Sequence, residues 1–118
     1  MLHIETKNLG TVSLLNLKGR VVVGETEALR DAVKNLPPVS SVILDVSQVT
    51  LIDAHGLGVM LQLREQAQAR GLRFGLINVS EPLGQLLRIT RLETVFQIKP
   101  RVDSFSFMAR QQRAPVAA

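Results

Sequence analysis

Hydrophobic and polar positions change their period several times along the chain, and each change marks an element. Leu2 and Ile4 alternate with polar residues, and Val12, Leu14, Leu15 and Leu17 follow the turn formers Asn8-Leu9-Gly10. That spacing predicts two short strands joined as a hairpin, with Gly19 ending the second and Val21-Val22-Val23 extending it past a bend. From Glu25 to Leu36 the apolar residues Ala28, Leu29, Ala32, Val33 and Leu36 share one face of an amphipathic helix. Pro37-Pro38 stops it, because a proline ring clashes with the helical turn before it. The run Ser41-Val42-Ile43-Leu44-Asp45-Val46 is short, apolar and β-branched, which suits a central strand covered on both faces.

Residues 56–70 are helix formers, apolar nearly all round in the first half and polar in the second, and Gly71 stands where a C-cap belongs. Leu72–Val79 reads as a strand. Ser80-Glu81-Pro82 opens a helix, with serine as cap, proline in the first turn, and Leu83, Leu86 and Leu87 on one face. Val95–Ile98 reads as a last strand and residues 101–112 as a terminal helix. The order β-β-α-β-α-β-α-β-α predicts an α/β domain: a mixed, mainly parallel sheet of about five strands, an N-terminal antiparallel hairpin, and three to four helices. One domain over residues 1–112 and a flexible tail over 113–118 account for all 118 residues, a length that suits a single core.

Composition narrows the chemistry. With no cysteine, disulfides, thiolate metal sites and a cysteine nucleophile are excluded, and the sequence fits a cytoplasmic protein. No apolar run reaches the ~18 residues of a membrane span, and Met1–Glu5 lacks the basic-then-apolar pattern of a secretory signal. The net charge of +4 is unevenly placed: residues 1–98 carry ten Lys/Arg against nine Asp/Glu, and residues 99–118 carry four against Asp103 alone. A nucleic-acid binder concentrates its basic charge on the folded body, and aromatic platforms for stacking bases need more than four Phe with no Trp or Tyr. No nucleic acid is expected as a partner, nor any cofactor.

The most informative stretch is Asp45–Gly58. A buried strand leaves the core at Asp45, makes a short apolar excursion, and Asp53-Ala54-His55-Gly56 leads into a helix. Asp53 is placed to cap that helix by accepting a backbone N–H two or three residues on. Gly56 and Gly58 keep the first turn free of bulk, so another backbone or a phosphoryl group could approach closely. Gly56-Leu57-Gly58 lacks the lysine and the longer glycine spacing of a nucleotide-binding P-loop.

These residues resemble the signature of the STAS domain (sulphate transporter and anti-sigma factor antagonist), D-x-S-x-V-x-x-I-D-[ST]-[ST]-G-L-G, at Asp45, Ser47, Val49, Ile52, Asp53, Gly56, Leu57 and Gly58. Gly19-Arg20-Val21, Leu29-Arg30, Gly71–Phe74, Pro82 and Leu86-Leu87 extend the likeness to about residues 2–100. The resemblance implies a protein-binding regulator, an anti-sigma factor antagonist whose partner is an anti-sigma factor or kinase-like regulatory protein. It also implies a contact face of Asp53, Ala54, His55, Gly56, Leu57 and Gly58, with Glu25 and Thr26 alongside, and no catalytic residues. In the family the second hydroxyl of D-[ST]-[ST]-G is phosphorylated, and the added charge breaks the interface. Here the two hydroxyl positions are Ala54 and His55, and Val22 and Glu25 replace the family's usual aspartate and threonine.

His55 invites sharper readings. Its only companion histidine is His3, with no metal-ligand spacing around either. A base role lacks a serine placed by sequence, and a protonation switch stays open. The simplest reading is a polar contact residue in the phosphoacceptor's place. Two alternatives from other classes are a scaffold or transport-accessory subunit acting by constitutive assembly, and a nucleotide-binding protein. A homodimer also remains open.

Overall fold

In the computed structural model of the chain, residues 1–98 are described. The hairpin forms from β1 (His3–Leu9) and β2 (Val12–Val21), which pair antiparallel around Gly10-Thr11. The turn falls later than the sequence suggests, since Asn8 and Leu9 still pair with Ser13 and Val12. Strand β2 does not end at Gly19. That residue adopts φ +111°, open to glycine at little steric cost, and the pairing with β3 shifts register there, so the strand bends and runs on to Val21.

The remaining elements are α1 (Glu27–Lys34), β3 (Ser41–Ile52), α2 (Ala54–Ala69), β4 (Arg73–Ile77), α3 (Glu81–Ile89) and β5 (Gln97–Ile98). The sheet order is β1-β2-β3-β4-β5, parallel after the first pair, which is the mixed α/β sheet expected. Strand β5 is two residues long because Leu92–Phe96 form turns, not the start of a strand. The predicted helix over 101–112 and tail over 113–118 lie outside the described residues.

Alternation on the strands sorts the core. Leu15, Leu17 and Val21 of β2, Val42, Leu44 and Val46 of β3, and Phe74 and Leu76 of β4 face one side. There they meet buried side chains of α1, α2 and α3: Leu29 and Val33, Leu57, Met60 and Leu63, then Leu83 and Leu87. Removing such a leucine or phenylalanine from water is worth about 1.5–3 kcal/mol. Val12, Leu14, Ile43 and Ile77 form a smaller cluster from the opposite strand faces.

The helix ends follow local chemistry. Helix α1 starts two residues after Glu25 and stops at Lys34, ahead of Pro37-Pro38, so its buried stripe shrinks to Leu29 and Val33. Helix α2 ends in a double backbone closure, Gly71 N–H to Gln68 and Leu72 N–H to Ala67, with Gly71 at φ +77°. The Ser80 hydroxyl accepts the Leu83 N–H at 3.3 Å and caps α3.

Candidate functional site

The stretch beyond Asp45 is more ordered than a loop. Strand β3 pairs with β4 only over Ser41–Asp45 but with β2 as far as Ile52, so Ser47–Ile52 extend as an outer strand with largely exposed side chains. The pivot is Asp45, only 4% exposed. Its Oδ1 accepts the Ser47 N–H at 3.0 Å and its Oδ2 the Asn78 amide at 3.2 Å, which accompanies a register shift against β2 between Asn16 and Lys18. The bend is thus closed by the aspartate, with Ser47 contributing backbone. The Thr50 hydroxyl donates to the Gly19 carbonyl at 3.2 Å.

Asp53 ties two elements together. Its Oδ1 accepts the Gly56 N–H at 2.7 Å and caps α2, while its Oδ2 accepts the Val23 N–H at 3.0 Å from the β2–α1 connection. Its own N–H reaches the Val21 carbonyl at 3.3 Å. The Val23 and Gly56 N–H groups, then the nearby His55, favour the carboxylate and hold the Asp53 carboxyl below its ordinary 3.8, against a smaller opposing effect of desolvation.

Gly56 is where the helix meets the strand. A Cβ there would collide with the Val21 carbonyl oxygen and stand 2.7 Å from its carbon and 3.0 Å from Cγ1. The close approach anticipated at this glycine is therefore made by the chain's own backbone. Gly56 and Leu57 are buried and shape the corner from beneath. Ala54 and His55 are exposed, Gly58 is half-buried, and a Cβ on Gly58 would meet nothing within 4 Å.

Of the two neighbours named from the first helix, Thr26 is 3% exposed and leaves its own helix uncapped by its side chain; its Oγ1 lies 3.2 Å from His55 Nε2 in a shared hydrogen bond. Glu25 sits behind it, paired with the Met1 amino group at 2.9 Å and Arg20 at 2.8 Å. The amino group first, then Arg20, lowers the Glu25 carboxyl below its ordinary 4.5 although desolvation pulls the other way.

Two residues escape the sequence pattern. Val23 is 66% exposed and Leu51 53% exposed, the first in the connection that follows β2 and the second near the end of β3. Val23 reads as strand because it closes a valine triplet, and Leu51 belongs to the apolar excursion that follows Asp45. Their exposure comes from β2 ending at Val21 and β3 passing beyond β4. Among the described residues no group of three or more His, Cys, Asp or Glu is placed to hold a metal ion. No described helix is long and apolar enough to cross a membrane.

The chain matches known proteins. The family profile for the STAS domain covers residues 3–105, and the chain belongs to that family. A STAS-domain containing protein of Pseudomonas aeruginosa (strain UCBPP-PA14) is 27% identical over 85 residues, 71% of this chain and 84% of the relative. An anti-sigma factor antagonist from Mycobacterium paratuberculosis superposes with a TM-score of 0.76 at 18% identity, over 93% of this chain and 95% of that one. The unphosphorylated form of the Bacillus anti-sigma factor antagonist SpoIIAA gives 0.72 at 14% identity, over 97% and 100%. The chain also matches Mglu with a TM-score of 0.57 at 27% identity over 61% of its length, and spans 18% of that protein.

Proposed function

We propose that this STAS domain is a protein-binding regulator, an anti-sigma factor antagonist that acts in the cytoplasm by docking on a kinase-like anti-sigma factor, with no reaction chemistry of its own. The observation that carries the reading is the pair of exposed apolar side chains, Val23 and Leu51, set around a helix start that Asp53 holds by hydrogen bonds to Val21, Val23 and Gly56. Small apolar anchors beside a rigid backbone turn can be desolvated by a partner at little ordering cost.

In this reading Ala54, His55 and the open space over Gly58 meet the partner directly, and Thr26 steers the imidazole. Asp53, Gly56, Leu57 and the Glu25–Arg20 pair hold the surface in shape. With His55 in the family's phosphoacceptor place, the charge that would disrupt the interface is not added there, and docking is constitutive or governed elsewhere.

The test is retrieval from the native cell with wild-type protein and Leu51→Asp side by side. Recovery of a kinase-like or sigma-linked protein by the wild type, and its loss with Leu51→Asp, is expected. Recovery of only chaperones, or of a membrane transporter in its place, would overturn the proposal.

A further inference from the structure

A concavity lies away from this corner, between the C-terminal halves of α1 and α2. It has a volume of about 450 Å³, within the range of small-molecule sites. At 1.5 Å of rise per residue, its lining from Leu63 of α2 to the C-cap Arg70 stands roughly 15–25 Å from the Asp53 cap. Its origin is local. Helix α1 has eight residues against sixteen in α2, and Pro37-Pro38 forbids a further turn that would cover the later half of α2. Val33, Leu36, Val39, Leu63, Ala67 and Leu72 therefore make an apolar wall that no helix among the described residues closes.

The rim is charged with one sign. Arg30, Lys34 and Arg70 line it, and among the described residues no carboxylate does. Arg30 is engaged, donating to Gln62 at 2.7 Å and lying 3.8 Å from Glu27, whereas Lys34 and Arg70 make no ion pair among the described residues. Both stand at helix C-termini, each equivalent to about half a negative charge. Two full cations against two such half-charges leave a net of about +1 at the mouth. An apolar floor under a mouth with that surplus is complementary to a single anionic head on an apolar chain.

We propose that this cavity binds a medium-chain monocarboxylate, with its chain against Val33, Leu63, Ala67 and Leu72 and its carboxylate between Lys34 and Arg70. The site is separate from the docking corner, so ligand occupancy and partner binding are independent observables.

The experiment is an NMR titration of the ¹⁵N-labelled chain with laurate and, separately, with dodecanol, both below micellar concentration. Laurate should shift the amides of Val33, Leu36, Leu63, Ala67 and Leu72 saturably and leave Ala54 and His55 in place. Dodecanol should bind at least tenfold more weakly. The double variant Lys34→Glu/Arg70→Glu, altered at two exposed positions, should weaken laurate at least tenfold without changing dodecanol. Ala69→Trp, at the exposed lip, should block both. Absence of a saturable shift at these amides, equal binding of the two ligands by the wild type, or shifts centred elsewhere would overturn the proposal.

Discussion

Two glycines, two residues apart in the first turns of α2, should respond oppositely to the same methyl group. At Gly56 the added carbon collides with the Val21 carbonyl oxygen and falls about 0.7 Å short of ordinary 3.4 Å contact with its carbon. The obstacle is backbone, held in the sheet by β2–β3 pairing, so it cannot rotate aside. Relief requires moving the helix start away from the strand, which stretches the Asp53 N–H bond to Val21 and the Val23 N–H bond to Asp53. Overpacking of this kind costs about 1–3 kcal/mol, and a weakened backbone hydrogen bond about 1 kcal/mol more. Alanine's better helix propensity returns about 1 kcal/mol. Gly56→Ala should therefore destabilise by about 1–3 kcal/mol. Gly58→Ala meets open space and should stabilise by about 0.5–1 kcal/mol through propensity alone. Urea unfolding followed by circular dichroism reads both. With a slope near 1–2 kcal/mol per molar for a domain this size, the two midpoints should differ by about 1–3 M. Equal midpoints, or a Gly56→Ala variant at or above wild type, would refute the close packing of helix on strand.

Other consequences follow from the same contacts. Because folding lowers the Asp53 and Glu25 carboxyls, their contribution to stability is present above the ordinary values of 3.8 and 4.5 and is lost as pH falls through the lower folded ones. Urea midpoints measured from about pH 6 to about pH 3 should fall, and should fall less steeply in Asp53→Asn. Asp45→Ala leaves the Ser47 N–H and the Asn78 amide without this acceptor and should cost about 1–3 kcal/mol in the same assay. Leu51→Asp, at a half-exposed position, should change stability by less than about 0.5 kcal/mol yet weaken the partner by about tenfold or more in titration calorimetry. Incubation with ATP and the cognate kinase should add no phosphoryl group at Ser47 or Thr50, as intact-mass measurement would show.

Much of this architecture is written in local chemistry. The apolar run at Ser41–Val46, the serine cap at Ser80 and the aspartate cap at Asp53 are decided by residues near in sequence, and each lies where that chemistry places it. The strand through Gly19 is not legible that way. Its continuation to Val21 depends on β3 lying alongside, and glycine alone reads as an end. The same limit applies to the corner. Its motif singles out Gly56 and Leu57, but only the packing of the helix start on the sheet, with Gly56 against Val21, turns them inward. Exposure of Val23 and Leu51 likewise depends on where neighbouring strands stop, a non-local property that an apolar triplet or run conceals.

Docking through the Asp53–Gly58 corner is tested most directly by placing a photo-crosslinking residue at His55 and, in a separate variant, at exposed Lys7 on β1, then irradiating in the native cell. The account predicts one dominant adduct from position 55, to a kinase-like regulatory protein, and none to that protein from position 7. An adduct to the same protein from position 7, with none from position 55, would contradict it.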